Sequence, residues 1–245
     1  MNNNQTVEKL KQMRLGAMAD LHLQYVKNNQ LNGCTPDEYL ALLIDHEWEN
    51  KQNQKIDRLI KQARFRQKAN VTGIDFGITR NLDKNMFNRL ATLDFIKRNE
   101  NIIITGASGV GKSYIAQALG YQSCFENLKV MYSNTARLFT KLKLSKVDGT
   151  YIKELQKIQK VNLLILDDFG LQAFDNNARE ILMDIIDDRY NKMSTIISSQ
   201  IPVSVWYDVI GEGTIADAIL DRIVNSSHRI DLKGESLRKG FLENK

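Results

Sequence analysis

Apolar residues recur at helical spacing over the first seventy positions and in short unbroken runs after about residue 100. That change of period divides the chain. Leu10, Met13, Leu15, Met18, Leu21 and Tyr25 predict one helix from residue 6 to about 28. A turn is expected at Asn32-Gly33. Beyond it, Thr35-Pro36-Asp37-Glu38 sets a capping-box pair around a proline at the first helical position. Leu40, Leu43, Ile44, Trp48, Ile56, Leu59, Ile60 and Ala63 continue the helical period to about residue 68. Two such helices bury little by themselves. Residues 1–70 are therefore expected as a small all-helical extension, with Gly73 and Gly77 punctuating the passage to a second domain over 71–245.

A helix over 83–98 (Met86, Phe87, Leu90, Phe95, Ile96) precedes the apolar run 101–105. Four further strands are predicted at Lys129–Ser133, Asn162–Asp167, Ser194–Ser199 and His228–Leu232. Helices are expected between them at 113–126, 134–145, 176–192 and 213–224. Short apolar strands separated by helices imply a parallel sheet covered on both faces, an α/β core.

At 245 residues the chain suffices for one large domain, or one domain with an extension, and 42% hydrophobic against 26% charged residues is the balance of a globular protein. No run approaches the roughly 18 apolar residues of a membrane span, and the polar start, Met1 to Gln5, does not form a secretory signal. Cys34 and Cys124 stand far apart without metal-ligand spacing, and His22, His46 and His228 are scattered. A reducing, cytoplasmic location without a zinc site is expected. The net charge of +5 fits an acidic partner such as nucleic acid, and equally fits a mildly basic protein without one.

The chemistry concentrates where the period changes. Gly106-Ala107-Ser108-Gly109-Val110-Gly111-Lys112-Ser113 satisfies GxxxxGK[ST] between an apolar strand and the helix expected over 113–126, and these residues with Tyr114 are the expected nucleotide-binding set. Glycines let backbone N–H groups turn toward a phosphate chain, and the helix N-terminus adds positive potential. ATP and Mg2+ are the expected ligands. Lys112 is placed for the β- and γ-phosphates and the Ser113 hydroxyl for the metal. The run Leu163-Leu164-Ile165-Leu166 ends in Asp167 and Asp168, a buried strand delivering carboxylates to the edge where open α/β sheets bind ligands. Asp167 is expected in the magnesium shell, and Asp168 is placed to polarise the attacking water. At the end of the next strand, Gln200 is the first candidate to touch the γ-phosphate or that water, with Ser199 second.

These residues resemble the AAA+ ATPase helpers of insertion-sequence transposition, the IstB-like proteins, which are relatives of DnaC-type helicase loaders. The resemblance runs from about Glu8 to Lys239. It rests on Glu8-Lys-Leu-Lys-Gln-Met-Arg-Leu, the phosphate loop, Leu164-Ile-Leu-Asp-Asp-Phe-Gly-Leu171 and Ser199-Gln-Ile-Pro-Val203. More specific are Ala216-Asp-Ala-Ile-Leu-Asp-Arg-Ile223 and His228-Arg-Ile-Asp-Leu-Lys-Gly-Glu-Ser-Leu-Arg238. The resemblance implies an AAA+ P-loop core, homo-oligomers with ATP sandwiched between subunits, DNA binding without strong sequence preference, and stimulation of the element's transposase. It places Arg222 as an arginine finger. The plainer alternative is a salt bridge of Arg222 with Asp221 or Asp217 on its own helix. Too little sequence follows Arg229 for the helical lid of many AAA+ proteins, and Arg229 or Arg238 is the candidate substitute for its sensor arginine.

Two basic series are candidates for phosphate contact: Lys55, Arg58, Lys61, Arg64, Arg66 and Lys68, and then Lys141, Lys143, Lys146, Lys153, Lys157 and Lys160. A solvated helical face is the alternative for both, and the first could instead grip a neighbouring subunit. The expected function is an ATP-dependent regulator that assembles on target DNA, duplex in preference to single strands, and stimulates a transposase. A replicative helicase loader acting on single-stranded DNA is the main alternative. A small-molecule kinase fits less well, because basic strips and an arginine finger are unneeded there.

Overall fold

The computed structural model describes residues 3–28, 33–77 and 80–237. The chain divides into two units, Met1–Arg58 and Leu59–Lys245. In the first, α1 (Asn3–Gln12) and α2 (Gly16–Lys27) replace the single helix expected over 6–28. Arg14 adopts a left-handed φ of 59°. The N–H of Leu15 returns to the carbonyl of Leu10, and that of Arg14 to Lys11, the paired bonds of a Schellman ending. Arginine rarely adopts that conformation, so the break carries no sequence signal. The Asn32 half of the expected turn lies outside the described residues.

Helix α3 (Pro36–Ala63) starts at the expected capping box. The Thr35 N–H donates to Glu38 Oε2 at 2.8 Å, and the Glu38 N–H to Thr35 Oγ1 at 3.3 Å. Buried Glu47 accepts from the Met18 N–H at 2.9 Å, which ties α2 to α3. Leu40, Ile44 and Trp48 recur every fourth residue on α3 and remain exposed. The last residues of α3, including buried Leu59 and Ala63, belong to the second unit, and Phe65 stacks there on Tyr121 at 4.3 Å.

The second unit continues with α4 (Lys84–Ala91) and α5 (Asp94–Lys97), separated where Leu93 takes a φ of 63°, so the expected 83–98 helix is two pieces. Then follow β1 (Asn101–Gly106), α6 (Lys112–Phe125), β2 (Val130–Asn134), α7 (Thr135–Val147), α8 (Tyr151–Gln159), β3 (Leu163–Phe169), α9 (Asn176–Arg189), β4 (Ser194–Ser199), α10 (Trp206–Ile210), α11 (Gly213–Val224) and β5 (Ser227–Leu232). The five strands pair in parallel in the order β2-β3-β4-β1-β5. The α/β parallel-sheet fold is as expected.

Residues 102–104, 163–166 and 196–197 are buried throughout, as a sheet covered on both faces requires. One face packs α6, α4 and the chain around Ala69 and Ile74, and the other packs α7, α8, α9 and α11. Buried Arg189 closes the far end of the sheet: Nη1 donates to the carbonyls of Ile158 and Val161, and Nη2 to that of Ser194. No described helix is long and apolar enough to cross a membrane.

Candidate active site

The sheet order brings the ends of β1, β3 and β4 side by side, and the phosphate loop bridges β1 to α6. Gly106, Gly109 and Gly111 have φ of 144°, 86° and 102°, values that favour glycine. At Gly106 space matters as much as conformation, because an added Cβ would stand 2.3 Å from the carbonyl oxygen of Leu232 on β5. Gly106→Ala is expected to cost about 2–3 kcal/mol of stability, read from urea denaturation. An unchanged midpoint would mean that β5 can withdraw freely.

Within the loop, Val110 is buried and anchors the backbone, while Ala107 and Ser108 are exposed. Buried Lys112 donates to the carbonyls of Gly106 and Ala107, both at 2.7 Å, so its ammonium sits inside the loop. Tyr114 turns the other way, its hydroxyl accepting from the Asn70 N–H at 3.3 Å.

Asp167 is 1% exposed and collects four donors. Ser113 Oγ donates to Oδ1 at 2.9 Å, Ser198 Oγ to the same atom, the Asp168 N–H to it at 3.1 Å, and Tyr132 Oη to Oδ2 at 2.6 Å. Burial, then the bond to Asp167, pushes the Tyr132 phenol well above its ordinary range, so it remains a proton donor. Ser113 and Asp167, which the sequence places 54 residues apart, thus meet at one point with hard oxygen donors.

Adjacent strand residues normally face opposite ways. The β3–β4 register is irregular between Leu166 and Phe169, and Asp168 takes a φ of 56° there. This bulge re-aims the half-buried Asp168, whose Oδ2 accepts from Asn134 Nδ2 at 3.0 Å. The Thr135 hydroxyl fixes the bulge by donating to the Asp167 carbonyl at 2.9 Å.

Gln200 follows β4 half-buried. The β4 side chain in contact with Asp167 is Ser198, while Ser199 donates to the Phe169 carbonyl at 2.8 Å. Tyr132, Asn134 and Ser198 are site residues that the sequence reading did not single out. The one available signal was their position in the strands next to the motif strand, with Asn134 and Ser198 near the strand ends.

Arg222 on α11 pairs with neither Asp217 nor Asp221. Its Nε lies 2.7 Å from Asp187 Oδ1 on α9, Nη1 donates to the Ala218 carbonyl at 2.9 Å, and the guanidinium lies 5.8 Å from the Tyr190 ring centroid. Arg229 is exposed on β5 in register with Ile103, and Arg238 lies outside the described residues.

The basic series differ in their surroundings. Lys141 and Lys157 both pair with Glu154, Lys143 pairs with Asp175 and Lys146 with Glu180. Lys55, Arg58, Lys61, Arg64, Arg66 and Lys68 are all exposed, and no ion pair among the described residues uses them.

A family model described as "IstB-like ATP binding protein" matches residues 8–242. The putative insertion sequence ATP-binding protein y4pL of Sinorhizobium fredii is 42% identical over 234 residues, 96% of each chain. The putative ATP-binding protein of insertion sequence IS21 from Pseudomonas aeruginosa is 28% identical over 232 residues, 95% of this chain and 86% of that one. Among solved structures, the DnaC helicase loader superposes with a TM-score of 0.55 at 22% identity, covering 67% of this chain and 97% of its own. DnaI gives 0.57 at 24%, covering 68% and 92%. At these identities the structures show a shared AAA+ fold.

Proposed function

The chain belongs to the IstB-like ATP-binding proteins, the AAA+ ATPases associated with insertion sequences, and from that membership we propose that it assembles on target DNA in its ATP-bound form and stimulates the transposase of its element. The observation that supports this reading is a phosphate loop with two carboxylates at the neighbouring strand end, in one chain with a run of exposed cations that no ion pair among the described residues uses. Lys112, Ser113, Asp167 and Asp168 supply the site, and Arg64, Arg66 and Lys68 belong to the run.

The N–H groups of residues 107–114 would hold the phosphates of ATP, and the Lys112 ammonium would exchange the loop carbonyls for the β- and γ-oxygens. The Ser113 hydroxyl and the Asp167 carboxylate would hold magnesium, which offsets charge on the phosphates when bound. Among the described residues no cluster of three His, Cys, Asp or Glu side chains could hold an ion alone, which fits a metal completed by nucleotide oxygens. Asp168, held by Asn134, accepts a proton from the attacking water, with Gln200 at the adjoining strand end to orient it. Arg222 reaches a neighbouring subunit's nucleotide.

Duplex phosphates are the fitting partner for the first basic series, whose charges need no exchange of existing pairs. In the second series Lys141, Lys143, Lys146 and Lys157 would have to give up ion pairs, each worth about 0–1 kcal/mol, so they add contacts at small cost. No ion pair among the described residues uses Lys153 or Lys160. A helicase-loader reading shares this fold and differs in its DNA.

Anisotropy of labelled duplex and single-stranded DNA of equal length, with and without ATP and magnesium, tests the proposal. ATP-dependent duplex binding is expected. Replacing Arg64, Arg66 and Lys68 together by alanine should flatten the slope of log K against log salt by about 0.9 per lost phosphate contact. A preference for single strands would favour a loader, and no binding to either would defeat the DNA-regulator reading while leaving the ATPase intact.

A further inference from the structure

Arg80 is 5% exposed, and its Nε is buried without a hydrogen-bond partner among the described residues. Its Nη2 donates to the Asp75 carbonyl at 2.9 Å, and Nη1 lies over the phosphate loop, 2.8 Å from where a Cβ on Gly111 would stand. No ion pair among the described residues includes this guanidinium. Burial pushes its pKa down and the charge of Asp75 pulls it back up, so the cation is only partly compensated. A buried charge held by one carbonyl is costly unless an anion completes its surroundings.

The backbone holds Arg80 firmly. The Lys233 N–H donates to the Arg80 carbonyl at 3.0 Å, and Asn81 Nδ2 donates to the Asp231 carbonyl at 3.1 Å, so residues 80–81 are stitched to the end of β5. The order of the sheet then fixes which end of the loop Arg80 faces. β5 borders β1 on one side, whereas β3, with Asp167 and Asp168, lies beyond β4 on the other. Arg80 therefore flanks the loop on the side of β5, away from the carboxylates, beside Gly111.

We propose that Arg80 is a nucleotide-binding residue that engages the α-phosphate of the bound nucleotide in its own subunit. The carboxylate end of the site takes the γ-phosphate and the metal, so a cation at the opposite end meets the part of the triphosphate next to the ribose. Nucleotide entry supplies the missing anion, and the orphaned Nε–H and the Nη1 group then have an acceptor. This inference rests on the ATP-binding part of the reading above and is independent of DNA.

The test is titration of fluorescent ADP and ATP, with magnesium, into wild type, Arg80→Gln and Arg80→Lys, together with melting of each protein without nucleotide. Because ADP and ATP share the α-phosphate, Arg80→Gln should weaken both by the same factor, about 10- to 100-fold, the loss of one charge-assisted phosphate contact. Arg80→Lys should recover part of that affinity, and melting without nucleotide should be unchanged or raised. Wild-type affinity for ADP with lowered melting would make Arg80 a structural staple and overturn the proposal, as would a loss confined to ATP. If Arg80→Gln does not fold, wild-type protein isotopically labelled in its arginine side chains decides. The Arg80 Nε–H resonance, identified by its loss in Arg80→Lys, should shift when ADP is added, and an unmoved resonance overturns the assignment. A wild type that binds neither nucleotide would defeat the ATP-binding reading instead.

Discussion

Lys112→Ala is expected to weaken ATP binding about a hundredfold or more, equivalent to about 2.7 kcal/mol. The Lys112 ammonium is 6% exposed and already lies inside the phosphate loop, held by two neutral carbonyls. Exchanging those neutral acceptors for phosphate oxygens pairs the ammonium with an anion, and hydrogen bonds to charged groups contribute about 1.5–3 kcal/mol each. The fold should survive, because the glycine backbone and buried Val110 shape the loop without the lysine. A fluorescent ATP analogue reads the affinity, and melting gives the control: nucleotide at a hundred times Kd stabilises the wild type by about 2.7 kcal/mol and should do almost nothing for the variant. An affinity within about threefold of wild type, well under 1 kcal/mol, would remove Lys112 from the phosphate site.

Arg222→Ala should leave ATP affinity nearly intact and lower the rate of hydrolysis about 10³-fold. Arg222 is partly exposed and held by Asp187, a carbonyl and the Tyr190 ring, so an isolated subunit parks the guanidinium on its own surface. That ion pair contributes about 0–1 kcal/mol, too little to explain a loss of this size through stability. The distinguishing experiment mixes two inactive proteins. Arg222→Ala keeps a competent nucleotide site and Lys112→Ala keeps the finger, so together they should regain phosphate release that neither shows alone. If Arg222→Ala alone hydrolyses at the wild-type rate, or if the mixture of two inactive proteins regains nothing, Arg222 is only a partner of Asp187.

The local chemistry of this protein was legible in its sequence. Phosphate-loop glycines are needed for left-handed backbone angles that most residues avoid, and an apolar run ending in two aspartates, 54 residues after such a loop, reads as a buried strand with its charges at the edge. Both are local requirements, so spacing and residue type suffice to identify them, as they do for the Thr35–Glu38 capping box. The family relationship was equally legible, through the terminal blocks beyond the two motifs.

Only the tertiary structure decided which groups meet. Tyr132, Asn134 and Ser198 reach the two aspartates because strand order sets β2 and β4 on either side of β3, a long-range pairing that no local pattern encodes. Arg14 and Leu93 break helices that periodicity predicts to be continuous, because each sits in a left-handed conformation that its residue type does not announce. The charges show the same limit. Lys141, Lys143 and Lys146 lie beside carboxylates from other parts of the chain while no ion pair among the described residues uses the first series, and Arg80 carries its charge into the protein beside Gly111. Sequence determines how many charges there are and where they lie along the chain; burial and the neighbours brought by folding determine what each one faces.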